Sequence, residues 1–192
     1  MSRRLLVKQQ ILILFLLSLV VSCSSRKIQN KSVVGELFPE INGISLFGDR
    51  INLPASDMKD PQIFLIGYKQ KSQFDIDRWL IGFEMTGVKV LIYELPVLDS
   101  WFPTFLRKKI DGGMKKGIPK GLWKNVVTVY DDADIIKNFL GTENPNNARV
   151  LLVGNNKKVL AQFDDGFSSG SLVKILKLIP KNKQANCRDL LD

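Results

Sequence analysis

The chain has 192 residues, 45% of them hydrophobic, and its 28 Lys and Arg outweigh 19 Asp and Glu to give a net charge of +9. It contains no histidine and two cysteines, Cys23 and Cys187. Without histidine, Ser-His-Asp and Cys-His nucleophile systems and the commonest zinc sites are excluded. The hydrophobic share is that of a globular chain able to bury one core.

Arg3, Arg4 and Lys8 precede an apolar run from Ile11 to Val21 that only Ser18 interrupts. That run is shorter than the ~20 residues a membrane-spanning helix needs. It ends in Leu19-Val20-Val21-Ser22-Cys23, which resembles a bacterial lipobox. The resemblance implies that residues 1–22 are a lipoprotein signal peptide and that Cys23 is acylated, with membrane lipid as its partner. Two or three acyl chains anchor far better than one, since each buried CH₂ contributes about 0.8 kcal/mol. A plain secretory signal and an uncleaved N-terminal helix are the alternatives. Once Cys23 is acylated, Cys187 is the single thiol and no intramolecular disulfide can form.

Without Arg3, Arg4 and Lys8 the chain carries +6 of its +9. That charge suits an anionic bilayer, or simply a solvated surface, and nucleic acid is not expected as a partner outside the cytoplasm. Ser24 directly after the cysteine favours the outer membrane in bacteria that use an acidic residue there for inner-membrane retention. The expected location is the cell envelope.

Residues 23–32 read as the lipidated cysteine and a polar tether, 33–180 as one domain and 181–192 as a polar tail. Ile44–Phe47 and Arg50–Leu53 flank Gly48-Asp49 as a hairpin. Gln62–Gly67 is a continuous apolar run, the mark of a strand buried on both faces. Ser72 is the expected cap of a helix bearing Phe74, Leu80, Ile81, Phe83 and Met85, which Gly87 stops. A strand over Val88–Leu95 follows. Ser100 is then expected to cap a helix with Trp101, Phe105, Leu106 and Ile110, ended by Gly112-Gly113 and followed by a basic loop to Lys124.

Val126–Tyr130 reads as a strand, and Asp131 or Asp132 as the cap of a helix that Gly141 closes. Arg149–Gly154 and Lys157–Phe163 form a late hairpin turning at Asn155-Asn156. Ser171 is the expected cap of a last helix, Leu172–Ile179, before Pro180. Alternating β and α segments with a late hairpin predict a thioredoxin-like α/β sandwich. Its central mixed sheet is flanked by helices and preceded by a β-hairpin.

Phe38-Pro39-Glu40-Ile41-Asn42-Gly43-Ile44-Ser45-Leu46 resembles the lead-in of peroxiredoxin-type and related thioredoxin-fold proteins. Ala148 to Gly154 with Lys157 to Leu160 resembles their late hairpin. Glu94, Trp101, Arg107-Lys108-Lys109, Ile118-Pro119 and Trp123 are similar to the mitochondrial ATP synthase assembly factor ten family. That resemblance implies a degraded thioredoxin fold that helps a membrane-embedded subunit mature. The departures are as informative. Redox members carry a cysteine just after the first core strand, where a helix N-terminus lowers its pKa. Here Gly67-Tyr68-Lys69-Gln70-Lys71-Ser72-Gln73 has none. Ala148-Arg149 stands where thioredoxins place a proline before the late strand. Peroxiredoxins use an arginine near that point to support a cysteine that this chain lacks.

The candidate contact residues are Arg107, Lys108, Lys109, Lys115, Lys116, Lys120, Trp123 and Lys124, opposed by the single acid Asp111 and interleaved with Ile118, Pro119 and Leu122. They fit an acidic, membrane-embedded or lipid partner, or a solvated loop with Trp123 folded back on the core. Asp131, Asp132 and Asp134 suit helix capping better than a metal, and Asp164-Asp165-Gly166 suits a turn. Gly166–Gly170 either presents N–H groups to an anion or is a plain loop. No metal or cofactor is implied. The expected function is a non-catalytic, lipid-anchored binding or assembly module for a membrane protein complex such as ATP synthase. The rivals are a thiol reductase or peroxidase using Cys187 and a structural envelope lipoprotein.

Overall fold

A computed structural model describes residues 27–184; Cys23 and Cys187 lie outside the described residues. Every residue of strand β3 (Gln62–Gly67) is buried. Alternation sends Ile63 and Leu65 into one core and Phe64 and Ile66 into another on the opposite face. Beside β3 lie β4 (Leu91–Pro96), parallel to it, and β6 (Arg149–Val153), antiparallel; β7 (Val159–Phe163) completes the order β4-β3-β6-β7. The sheet is therefore mixed, as expected.

The N-terminal hairpin pairs β1 (Ile41–Ser45) with β2 (Arg50–Leu53). β1 also pairs with the two-residue β5 (Val127–Thr128). Isolated parallel bridges, Glu94 with Val126 and Val97 with Val129, lace this three-stranded unit to β4.

Helix α1 (Gln73–Thr86) and helix α4 (Ser169–Lys177) cover one face. α1 buries Ile76, Trp79 and Phe83, while Phe74, Ile81 and Met85 are exposed. The sequence carries two apolar stripes about half a turn apart, and the one bearing the bulky indole takes the core. Ser72 is not a side-chain cap either: its hydroxyl donates to the Lys69 carbonyl at 2.6 Å. Asp75 ties the layer together, accepting from the backbone N–H of Ala148 at 2.9 Å and of Phe167 at 2.6 Å. The N–H of Phe167, in the loop considered for an anion, is thereby taken by a carboxylate of this chain.

Helix α2 (Thr104–Gly117) runs straight through Gly112-Gly113, so Lys115 and Lys116 occupy its last turn rather than a loop. The two glycines cost helix propensity, but what stops the helix is Pro119, which forces Ile118 into extended backbone (φ −102°, ψ 129°). Ser100 does not cap it; Pro103 stands at the N-cap. Helix α3 (Ala133–Leu140) covers the other face. Asp132 occupies its N-cap position without a side-chain cap, because its carboxylate accepts from the backbone N–H and side-chain amide of Asn42 instead. The cap of α4 is Ser168, whose Oγ accepts from the Ser171 N–H at 3.0 Å. In the late hairpin the positive φ falls on Lys157 (63°), not on the asparagines.

Residues 28–31, read as part of the tether, pack along the domain. Ile28 exchanges hydrogen bonds with Thr142, and Asn30 with Glu143. At the other end, Lys183 pairs with Asp60, and Gln184 forms a bridge with Val88. Among the described residues no helix is long and apolar enough to cross a membrane.

Candidate functional site: a closed strand end and a basic helical face

The end of β3 is where a thioredoxin-like fold presents its reactive group. Here it is filled. Tyr68 follows Gly67 and is buried, and Arg149, opposite Ile66 in the first pairing of β6, is 0% exposed with its guanidinium 5.3 Å from the centre of the tyrosine ring. Arg149 Nη2 donates to Asn30 Oδ1 at 2.8 Å and to the Glu143 carbonyl. Its Nε and Nη1, and the Tyr68 hydroxyl, are buried without a hydrogen-bond partner among the described residues. Burial pushes the Tyr68 hydroxyl well above its ordinary value, against the opposing pull of Arg149. A neutral phenol under a guanidinium offers neither a thiolate nor an accessible nucleophile. Among the described residues, no group of three or more acids or cysteines is placed to hold a metal.

The eight sequence-predicted contact residues come together around α2, yet they separate into two sets. Arg107 is structural: it pairs with Asp131 at 2.8 Å, donates to the Phe102 and Ser100 carbonyls at 2.8 and 2.5 Å, and lies 4.7 Å from the centre of the Tyr130 ring. Trp123 is also half-absorbed. Its indole N–H donates to the Ile118 carbonyl at 2.9 Å, its ring meets Phe47, and Lys115 sits over it at 5.4 Å. Lys108, Lys109, Lys116, Lys120 and Lys124 are exposed and make no ion pair among the described residues.

Beneath α2, Asp111 accepts from the Tyr130 hydroxyl at 3.0 Å and from Thr128 at 3.3 Å. Burial raises its carboxyl, while those hydrogen bonds and the nearby Lys115 and Arg107 pull it down. The helix thus turns Leu106, Arg107, Ile110, Asp111 and Met114 inward and a Phe105-Lys109-Lys116 stripe outward, with Lys108 alongside. Phe105 is 74% exposed, and the neighbouring Trp101 is 71% exposed. The exposed aromatics of this face are Phe105 and Trp101, while Trp123 is half-buried. The sequence places Phe105 in this helix; its alignment with Lys116 on the outward face follows only once the helix is carried past its glycines.

Fold and site together define a thioredoxin-like α/β domain with a closed strand end and a cationic, aromatic-studded helix on its surface. Solved structures of thioredoxin-like proteins share the architecture, among them these three. The thioredoxin domain of a thiol-disulfide oxidoreductase from Bacteroides vulgatus is 15% identical, with a TM-score of 0.54 over 78% of this chain and 100% of that one. A thiol peroxidase from Chromobacterium violaceum is 14% identical, with a TM-score of 0.51 over 79% of this chain and 90% of that one. A member of the Sco family of cytochrome c oxidase assembly proteins is 12% identical, with a TM-score of 0.53 over 78% of this chain and 96% of that one. No protein-family model matches the sequence, and no curated protein matches it significantly. At these identities the likeness establishes the fold.

Proposed function

We propose that this protein is a non-catalytic, lipid-anchored thioredoxin-like module that binds a membrane protein complex during its assembly. The observation that carries the reading is the outward face of α2, where Phe105, Lys108, Lys109 and Lys116 stand exposed and, among the described residues, no ion pair neutralises the lysines. A buried Tyr68 in place of a thiol argues against redox turnover at the usual position. Acylation at Cys23 supplies the anchor and places the domain in the cell envelope, facing the periplasm or the surface. The Sco-family neighbour is an assembly protein; by analogy of fold, the same scaffold suits such a role here. The resemblance of Glu94, Trp101 and Arg107–Lys109 to the ATP synthase assembly factor family makes membrane-embedded ATP synthase subunits the first partners to test.

A photoreactive residue at Phe105, activated in cells, should crosslink subunits of a membrane complex. Reversing Lys108, Lys109 and Lys116 to Glu should reduce that capture at least about tenfold, the equivalent of ~1.4 kcal/mol, with the melting temperature unchanged. Capture unaffected by the triple reversal would overturn the reading.

A further inference from the structure

Strand β4 is paired with β3 along its whole length, but its outer edge is covered only from Glu94 onward, where the Glu94 N–H donates to the Asn125 carbonyl at 2.9 Å. Among the described residues the earlier half of that edge is open. Between it, the C-terminal half of α1 and the turn at Lys120–Leu122 lies a cavity of about 580 Å³. Leu80, Phe83, Val88, Leu91, Leu122 and Val126 give it apolar walls. That volume falls within the range of small-molecule sites, which combine apolar walls with a few placed polar groups.

The charged groups of this wall are Glu84, which is exposed, and Glu94, which is 6% exposed; among the described residues no Lys or Arg lines it. In a chain of net charge +9 that is a local inversion of sign. Glu94 Oε1 is buried without a hydrogen-bond partner among the described residues. A buried carboxylate oxygen left without a donor costs more than any other polar atom of this wall. A ligand that brings a donor there recovers that cost, while an anion would meet two carboxylates.

We propose that this cavity is a binding site for a small apolar cation, whose hydrocarbon body packs among Leu80, Leu91 and Leu122 and whose ammonium group donates to the Glu94 carboxylate. The site is separate from the outward face of α2 and does not depend on the assembly reading. Glu94 faces Gln73 and Asp77 of α1. Burial pushes its carboxyl up to about 7, a hydrogen bond from Gln73 opposes this, and the nearby Asp77 charge adds a smaller push upward. A bound cation favours the ionised form, so affinity should rise between pH 5.5 and 8 as Glu94 loses its proton.

The probe is 2-phenylethylamine, compared with 2-phenylethanol and 3-phenylpropionate, titrated into the full chain and followed by the backbone NMR signals of Val88, Leu91, Ile92 and Asn125. The amine should bind saturably and about tenfold more tightly than the alcohol, and the carboxylate not at all. Glu94→Gln should abolish both the preference for the amine and its rise with pH. Leu91→Trp, which fills the open edge without disturbing the carboxyl, should block both the amine and the alcohol. Equal affinity for amine and carboxylate, binding that survives Leu91→Trp, or response only to a basic peptide and to none of the small probes would each overturn the proposal.

Discussion

Glu94 shows how one side chain can cost stability in a predictable direction. Its carboxyl is raised from 4.5 to about 7 because burial penalises the charge. The folded state therefore holds a proton that the unfolded chain has released between those two values. Glu94 favours folding fully below about pH 4.5, loses that contribution as pH rises to about 7, and adds no further slope above it. The whole change is on the order of 3 kcal/mol at most. Glu94→Gln removes the titration, so the difference in unfolding free energy between wild type and variant should shift against the wild type from pH 4.5 to 7.5. Urea unfolding at several pH values measures this; a pH-independent difference would show that Glu94 is not buried as described. The residue was visible in the sequence as part of a family resemblance. Its orphaned oxygen was not, because that depends on which side chains surround the carboxyl in the folded chain.

At the scale of elements, the buried strands β3 and β6 and the stop at Gly87 were readable because continuous apolar runs and left-handed caps leave local signatures. α2 was readable only in part. Gly112-Gly113 looks like a terminus, yet both positions are open to solvent with nothing within 4 Å, and the helix tolerates their cost until Pro119. The seam between residues 28–31 and the α3–β6 connection left no signature, because its contacts span more than a hundred positions. Gly141 sets that seam. Its φ is +87°, and a Cβ there would lie 2.5 Å from both Asn30 Cα and the Gln29 carbonyl oxygen. Gly141→Ala should destabilise the protein by about 2 kcal/mol, through strain at positive φ and displacement of Asn30 from Arg149. Hydrogen exchange should accelerate most at Thr142, whose N–H bonds the Ile28 carbonyl at 2.7 Å. Exchange that rises equally in β3 and at Thr142 would mean the seam does not open locally.

For the whole molecule, the order of hairpin, alternating β and α, and late hairpin was sufficient to predict a thioredoxin-like sandwich. The joining of the two sheets was hidden, since β5 contributes only two regular residues and isolated bridges do the rest. What such a scaffold does is decided at the end of β3, where the fold brings a strand terminus, a helix start and the first residue of β6 together. A thiolate there would gain from the helix N-terminus and from a neighbouring arginine. This chain has Arg149 there, and it holds a tyrosine, an asparagine and a backbone carbonyl, so its role is packing. The full chain should therefore neither reduce insulin disulfides nor consume hydrogen peroxide above the uncatalysed rate, and Cys187→Ser should behave as wild type in both assays. Turnover that disappears with Cys187→Ser would instead make the chain a one-thiol enzyme working away from β3, and the closed strand end would then say nothing about its chemistry.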